Sequence, residues 1–199
     1  MQCQSVQDII SIAATAEALA VTVIGEALAA AERGELALTE DERTFLRAAR
    51  AAEQAHYEVL TAAGAKPLTL VFTVPDTRAV SDPVLLLRTA IGLEEAFIAA
   101  YCAAAQQFAS LGQPDLVRVA VQIGGVEAEH RALLRHFAIL RGALGGVPDD
   151  VAYQKALFSS VGSAADALIQ LGWIGGSGPE IRYPGPGAID TRGVKQLRP

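Results

Sequence analysis

Gly125-Val126-Glu127-Ala128-Glu129-His130-Arg131-Ala132-Leu133-Leu134 lies inside a long helical pattern and carries Glu127-x-x-His130. Three residues make most of one helical turn, so both side chains project from the same face. The same spacing recurs in Ala51-Ala52-Glu53-Gln54-Ala55-His56-Tyr57, as Glu53-x-x-His56. The chain has 3 His, and two of them stand three residues after a glutamate. Composition alone would give this with a probability on the order of one in a hundred. Paired carboxylate-imidazole turns on apolar helices are what a dinuclear metal site requires.

The surrounding chain reads as helices. Helix 1 starts at the capping box Ser5-x-x-Asp8 and stops at Gly34, and helix 2 runs from the box Thr39-x-x-Glu42 to Gly64. Helix 3 starts at Ser81/Asp82 with Pro83 in its first turn and ends before Gly112. Helix 4 spans Asp115 to Arg141 and is stopped by Gly142. Each has an apolar stripe at helical period, and each stripe is interrupted by one acid: Glu17, Glu53, Glu94 and Glu127. Glu95 is rotated about 100° off the line of Glu94. Glu58 and Glu129 read as outer-face residues, as does His136, which has no matching acid.

Between helices 2 and 3, the connection from Gly64 to Val80 is too long for a simple turn. A helix of about 24 residues is about 36 Å long, and an extended segment of about 16 residues reaches roughly 50 Å. The connection can therefore travel the length of the bundle and restart helix 3 beside the start of helix 2. The resulting expectation is an all-α four-helix bundle over residues 1–147 with one long crossover. Residues 148–199 then pack on it as short helices and a Gly/Pro-rich tail. Asp149/Asp150 are expected to cap a helix through about Phe158, and Ala164 to Leu171 to form another across one end of the bundle.

Each of the four acids follows its predicted helix start by about 11 to 13 residues, and antiparallel neighbours of similar length bring mid-helix residues to one level. Glu17, Glu53, His56, Glu94, Glu127 and His130 are then the candidate metal ligands. One Glu from each of two helices with Glu-x-x-His from the other two is the ligand set of di-iron and di-manganese carboxylate bundles, a pattern already described for that class. Two divalent cations balance four carboxylates with both imidazoles neutral. Oxygen and nitrogen donors suit iron or manganese, and zinc fits as well. A lone mid-helix glutamate commonly carries its head to water; four at one level among Ala, Ile and Leu would each cost several kcal/mol without a partner. Tyr101, two turns from Glu94 on the same face, is placed to pack, to hydrogen-bond a ligand carboxylate or to carry a radical.

Composition narrows the partners. The chain is 51% hydrophobic and 19% charged with a net charge of −6, and no Lys/Arg cluster marks a nucleic-acid or anionic-membrane surface. The apolar run Ile9 to Ala31 is broken by Glu17 and Glu26 and reads as a core helix and not a membrane span. Cys102 reads as a small buried hydrophobe, with a Cys3–Cys102 bridge as the alternative. The first basic residue is Arg33, so no charged leader region is visible. The expected location is the cytoplasm, with export after leader removal as the alternative.

These residues resemble the ferritin-like superfamily, and within it the bacterial ferritin-like domain family that includes desiccation-associated proteins. The similarity rests on Ala52-Glu53-Gln54-Ala55-His56, on Gly92-Leu93-Glu94-Glu95-Ala96 with Ala100-Tyr101, and on Gly125-Val126-Glu127-Ala128-Glu129-His130, and it covers about residues 5–142. It implies a carboxylate-bridged diiron or dimanganese centre, with Glu17 and Glu94 as terminal or bridging ligands and the two ExxH pairs completing the set. Cage-forming ferritins generally lack the second ExxH histidine, so His130 argues against plain iron storage. Rubrerythrins are closer but usually add a rubredoxin-like cysteine module, which this sequence lacks; manganese catalases share the ligand logic. The resemblance implies redox chemistry with peroxide or dioxygen in stress protection, and by analogy a homodimer. The alternatives are iron oxidation without an organic substrate, and a non-catalytic helical stress protein with a structural, zinc-filled or empty site.

Overall fold

The computed structural model describes residues 4–199. Four long helices form the bundle: α1 (Val6–Glu32), α2 (Glu40–Ala62), α3 (Pro83–Ser110) and α4 (Pro114–Leu140). Both expected capping boxes are present. Ser5 and Thr39 accept from the backbone amides of Asp8 and Glu42, whose carboxylates reach back to the cap amides. Asp82 caps α3 with Pro83 in its first turn. Gly34 and Gly142 follow α1 and α4 at φ 76° and 68°, the left-handed conformation that ends a helix.

The helices pair as antiparallel hairpins. Ile9 and Ile10 of α1 pack with Leu60 of α2, and Ala27 to Ala31 pack with Leu46. Phe108 of α3 meets Ala120 of α4, and Leu87 and Ile91 meet Leu134 and Ala138. At one end Arg141, the residue that follows α4, ties to Glu42 of α2 through two contacts of 2.5 Å. Glu42 thus serves both as cap and as ion-pair partner.

The long crossover is present, and it runs along α1. Ser11 and Thr15, both buried on α1, accept from the amides of Lys66 and Leu68 through their hydroxyls, at 3.0 and 2.9 Å. Beyond them Val71–Thr73 forms a strand, β1, which pairs antiparallel with β2, Glu180–Arg182 from the tail. The Gly/Pro-rich tail therefore does not fray at this point. It adds a strand to the crossover, buries Trp173 and Tyr183, and donates the Tyr183 hydroxyl to the buried Gln54 at 2.7 Å.

Three expectations are corrected. The segment 149–158 is not helical. Asp150 is engaged with Arg131 and Arg135 at 2.9 and 2.6 Å instead of capping a helix, and Tyr153 is 90% exposed, so a short helix there would bury no stabilising face. The second short helix, α5 (Val161–Gln170), starts at its own capping box at Ser160. It lies along the side of α1 and α3, not across an end: Val161 packs with Ile9 and Phe108, and Leu168 packs with Leu19 and Phe97. Cys102 is exposed, because the buried face of that turn is taken by Tyr101; Cys3, its alternative bridge partner, lies outside the described residues. By length and composition α1 could cross a membrane, but 67% of its most apolar window is buried inside the fold.

Candidate metal centre

Glu17, Glu53, Glu94 and Glu127 all point into the bundle and are 0 to 6% exposed. His130 is buried beside them, and His56 has 12% of its side chain exposed. The six side chains form two overlapping groups, Glu17, Glu53, His56 and Glu127, and Glu53, Glu94, Glu127 and His130. In each group the donor atoms lie within 4.8 Å of one another.

The distances show which carboxylates are shared. His56 Nδ1 lies 3.3 Å from Glu53 Oε2, 3.3 Å from Glu127 Oε1 and 3.4 Å from Glu17 Oε2. His130 Nδ1 lies 2.8 Å from Glu53 Oε1, 3.3 Å from Glu127 Oε2 and 3.7 Å from Glu94 Oε1. Glu53 and Glu127 therefore turn one oxygen to each histidine. Glu17 belongs to one group and Glu94 to the other.

Of these short distances only His56 Nδ1 to Glu53 Oε2 has hydrogen-bond geometry. His130 Nδ1, both Glu127 oxygens, Glu53 Oε1, Glu17 Oε2 and Glu94 Oε2 are buried with no hydrogen-bond partner of proper geometry. Buried polar atoms are normally satisfied, so a cluster of orphaned lone pairs calls for an explanation. The orphaned atoms belong to the two donor groups, each gathered within 4.8 Å. A cation in each group would satisfy the orphans, and two would balance four carboxylate charges, so the residues present fit a pair of divalent metal ions.

Without metal, the cluster must share protons. Burial, then the charges of Glu127 and Glu53, push Glu17 well above the usual carboxylate range. Burial and the same two neighbours raise Glu94 likewise. Burial acts to raise Glu53 too, but His130 and His56 outweigh it and hold that carboxyl well below the usual range. Both imidazoles are raised well above an ordinary histidine: burial opposes the charge, and the surrounding carboxylates, Glu17 for His56 and Glu53 for His130, override it.

Around this core, the Tyr101 hydroxyl donates a short hydrogen bond to Glu17 Oε1. Gly124 of α4 stands opposite, where an added Cβ would lie 3.4 Å from Tyr101 Cβ, so this glycine permits the close approach of α3 and α4. Phe45 sets its ring edge-on to His130 at 6.0 Å between centroids. A cavity of about 560 Å³ opens between α2 and α4, with His56 and His130 in its wall and residues 193–199 laid across it. The supports that sequence reasoning missed are Arg131 and Gln54, each next to a site residue. Arg131 is buried and binds Glu95 at 3.1 Å and Asp150 at 2.9 Å, and Gln54 receives Tyr183. A buried-stripe position occupied by Arg or Gln was the available signal. Glu58, Glu129 and His136 are exposed, as expected.

The ferritin-like domain family matches the chain over residues 5–140, and the chain belongs to that family. Neither the curated proteins nor the solved structures gave a match.

Proposed function

We propose that this ferritin-like protein holds two divalent metal ions, iron or manganese, and is redox-active toward peroxide or dioxygen in a stress-protective role. Glu17, Glu53 and His56 with Glu127 would hold one ion, and Glu94, His130, Glu53 and Glu127 the other. The carrying observation is the pair of overlapping donor groups that share Glu53 and Glu127. Bound iron or manganese supplies reversible one-electron changes at each ion, the capacity that reduction of peroxide or dioxygen demands.

The chain's own residues set the conditions. Tyr101 fixes the orientation of Glu17, as outer hydrogen bonds commonly do for ligand carboxylates. Aliphatic and alanine side chains exclude bulk water and strengthen every charge interaction inside. The α2/α4 cavity gives small polar oxidants and the metals themselves a route to the histidine side. Two ExxH histidines, in place of the single one of storage ferritins, favour turnover over storage.

The test is metal analysis of the purified protein, followed by stopped-flow optical spectra of Fe(II)- or Mn(II)-loaded protein with O2 or H2O2. Sustained peroxide loss supports the reading. A finite burst of iron oxidation without turnover would reduce it to iron handling. Stoichiometric zinc, or metal with no reaction, would make the site structural.

A further inference from the structure

On the face of the bundle opposite the α2/α4 opening, α1, α3 and α5 enclose a second cavity of about 210 Å³. Ala13 and Ala16 of α1, Ala96 and Ala100 of α3 and Leu168 of α5 are among its walls, together with the buried Tyr101. Among its lining side chains only Tyr101 carries a polar group, and that hydroxyl is committed to Glu17. Leu157 and Leu171 stand at the rim, 51% and 59% exposed.

An ordered water needs two to four polar partners, and these walls offer none. Space of this kind stays dry and forfeits dispersion contacts along its whole lining. An apolar cavity of about 150 Å³ in another protein takes up benzene or xenon. This one is larger and reaches solvent past two leucines.

We propose that the α1/α3/α5 cavity is a binding site for a small apolar molecule, of about the size of a monocyclic aromatic hydrocarbon, seated against the Tyr101 ring. α5 is the element that makes it a site. Its capping box at Ser160 and the anchors Val161 and Leu168 hold it on the bundle, while Ala164, Ala165 and Ala167 face the gap without filling it. A ligand there is separated from Glu17 by a single side chain. The site needs no metal, so its test stands apart from that of the metal centre.

The experiment uses the full metal-free chain, with toluene titrated by calorimetry and xenon by amide NMR. Toluene is expected to bind saturably at one site with a sub-millimolar Kd. Xenon is expected to shift amides at Ala13, Ala100 and Leu168. Ala100→Leu and Ala164→Leu each fill the cavity and are expected to weaken toluene at least tenfold. Ala52→Leu, in the α2/α4 opening, leaves the affinity unchanged. Absence of saturable binding, binding that survives both filling substitutions, or loss in Ala52→Leu overturns the proposal. Should the filling variants unfold, the xenon shifts in the unsubstituted chain decide: shifts confined to those walls support it, and shifts elsewhere or none overturn it.

Discussion

Glu17 of the α1–α2 hairpin and its counterpart Glu94 in α3–α4 each leave Oε2 with no partner, but only Glu17 accepts a hydrogen bond from a tyrosine, Tyr101 to Oε1. The two ExxH turns are braced differently as well. Beside Glu53, Gln54 is held by a neutral hydrogen bond from Tyr183 of the tail. Beside His130, Arg131 is held by ion pairs to Glu95 and Asp150, and Lys155 joins through Glu95 at 2.8 Å. The inner six residues repeat between hairpins and the outer shell does not. The lesson is that near-equivalent donor sets can be held differently: Tyr101 orients the Glu17 carboxylate, and Glu94 has no such tyrosine.

The sharpest break of that comparison comes at the shared residues. Glu127→Gln removes a donor from both groups and is expected to take bound metal from two ions per chain to nearly none. Glu94→Gln is expected to spare the Glu17 half and leave about one ion, a difference that metal analysis after dialysis reads directly. Equal losses in the two variants would show that the halves do not bind separately.

Next in size is the ion-paired brace. Arg131→Ala removes a buried guanidinium but leaves Glu95 with Lys155 and Asp150 with Arg135, and is expected to cost about 2 kcal/mol. Thermal unfolding should show this as a fall in Tm of roughly 6 °C for a chain of this size. The corresponding test of the neutral brace, Tyr183→Phe, is expected to cost about 1 kcal/mol.

Acid–base linkage separates metal from proton as the neutralising agent. Glu17, Glu94, His56 and His130 all bind protons more tightly folded than unfolded. Their stabilisation of the metal-free fold is complete below the unfolded values and is lost as pH rises through the raised folded ones. Glu53 runs the other way: its contribution is present above the ordinary carboxylate range and is lost only as pH falls through its lowered value. Metal-free protein is therefore expected to lose Tm as pH rises above the ordinary carboxylate and histidine values, while the loaded protein, with cations in place of protons, changes less over the same rise.

The smallest effect sharpens the comparison instead of breaking it. Tyr101→Phe removes the hydroxyl that orients Glu17 and is expected to weaken one ion by about tenfold, the low end for loss of an outer hydrogen bond to a ligand. Titration with a competing chelator should then resolve two unequal affinities, with the second ion unchanged.

The sequence alone was enough for the four long helices and for the inward stripe of each. Capping residues, glycine stops and 3.6-residue periodicity are local properties, written within one or two turns of the residue concerned. The crossover length was legible for a similar reason, since chain reach is simple geometry. The segment 149–158 was misread because an acidic pair that would cap a helix was claimed by Arg131 and Arg135, more than a dozen residues away in the chain. The tail's strand, its pairing with Val71–Thr73 and the Tyr183–Gln54 bond were likewise out of reach. Those contacts depend on which surfaces meet after collapse, a long-range choice made by burial and hydrogen-bond satisfaction that local pattern does not encode. Periodicity thus placed six polar side chains on inward stripes. Only the tertiary structure decided that Glu53 and Glu127 each face both histidines, because that sharing depends on the depth and rotation at which four helices pack.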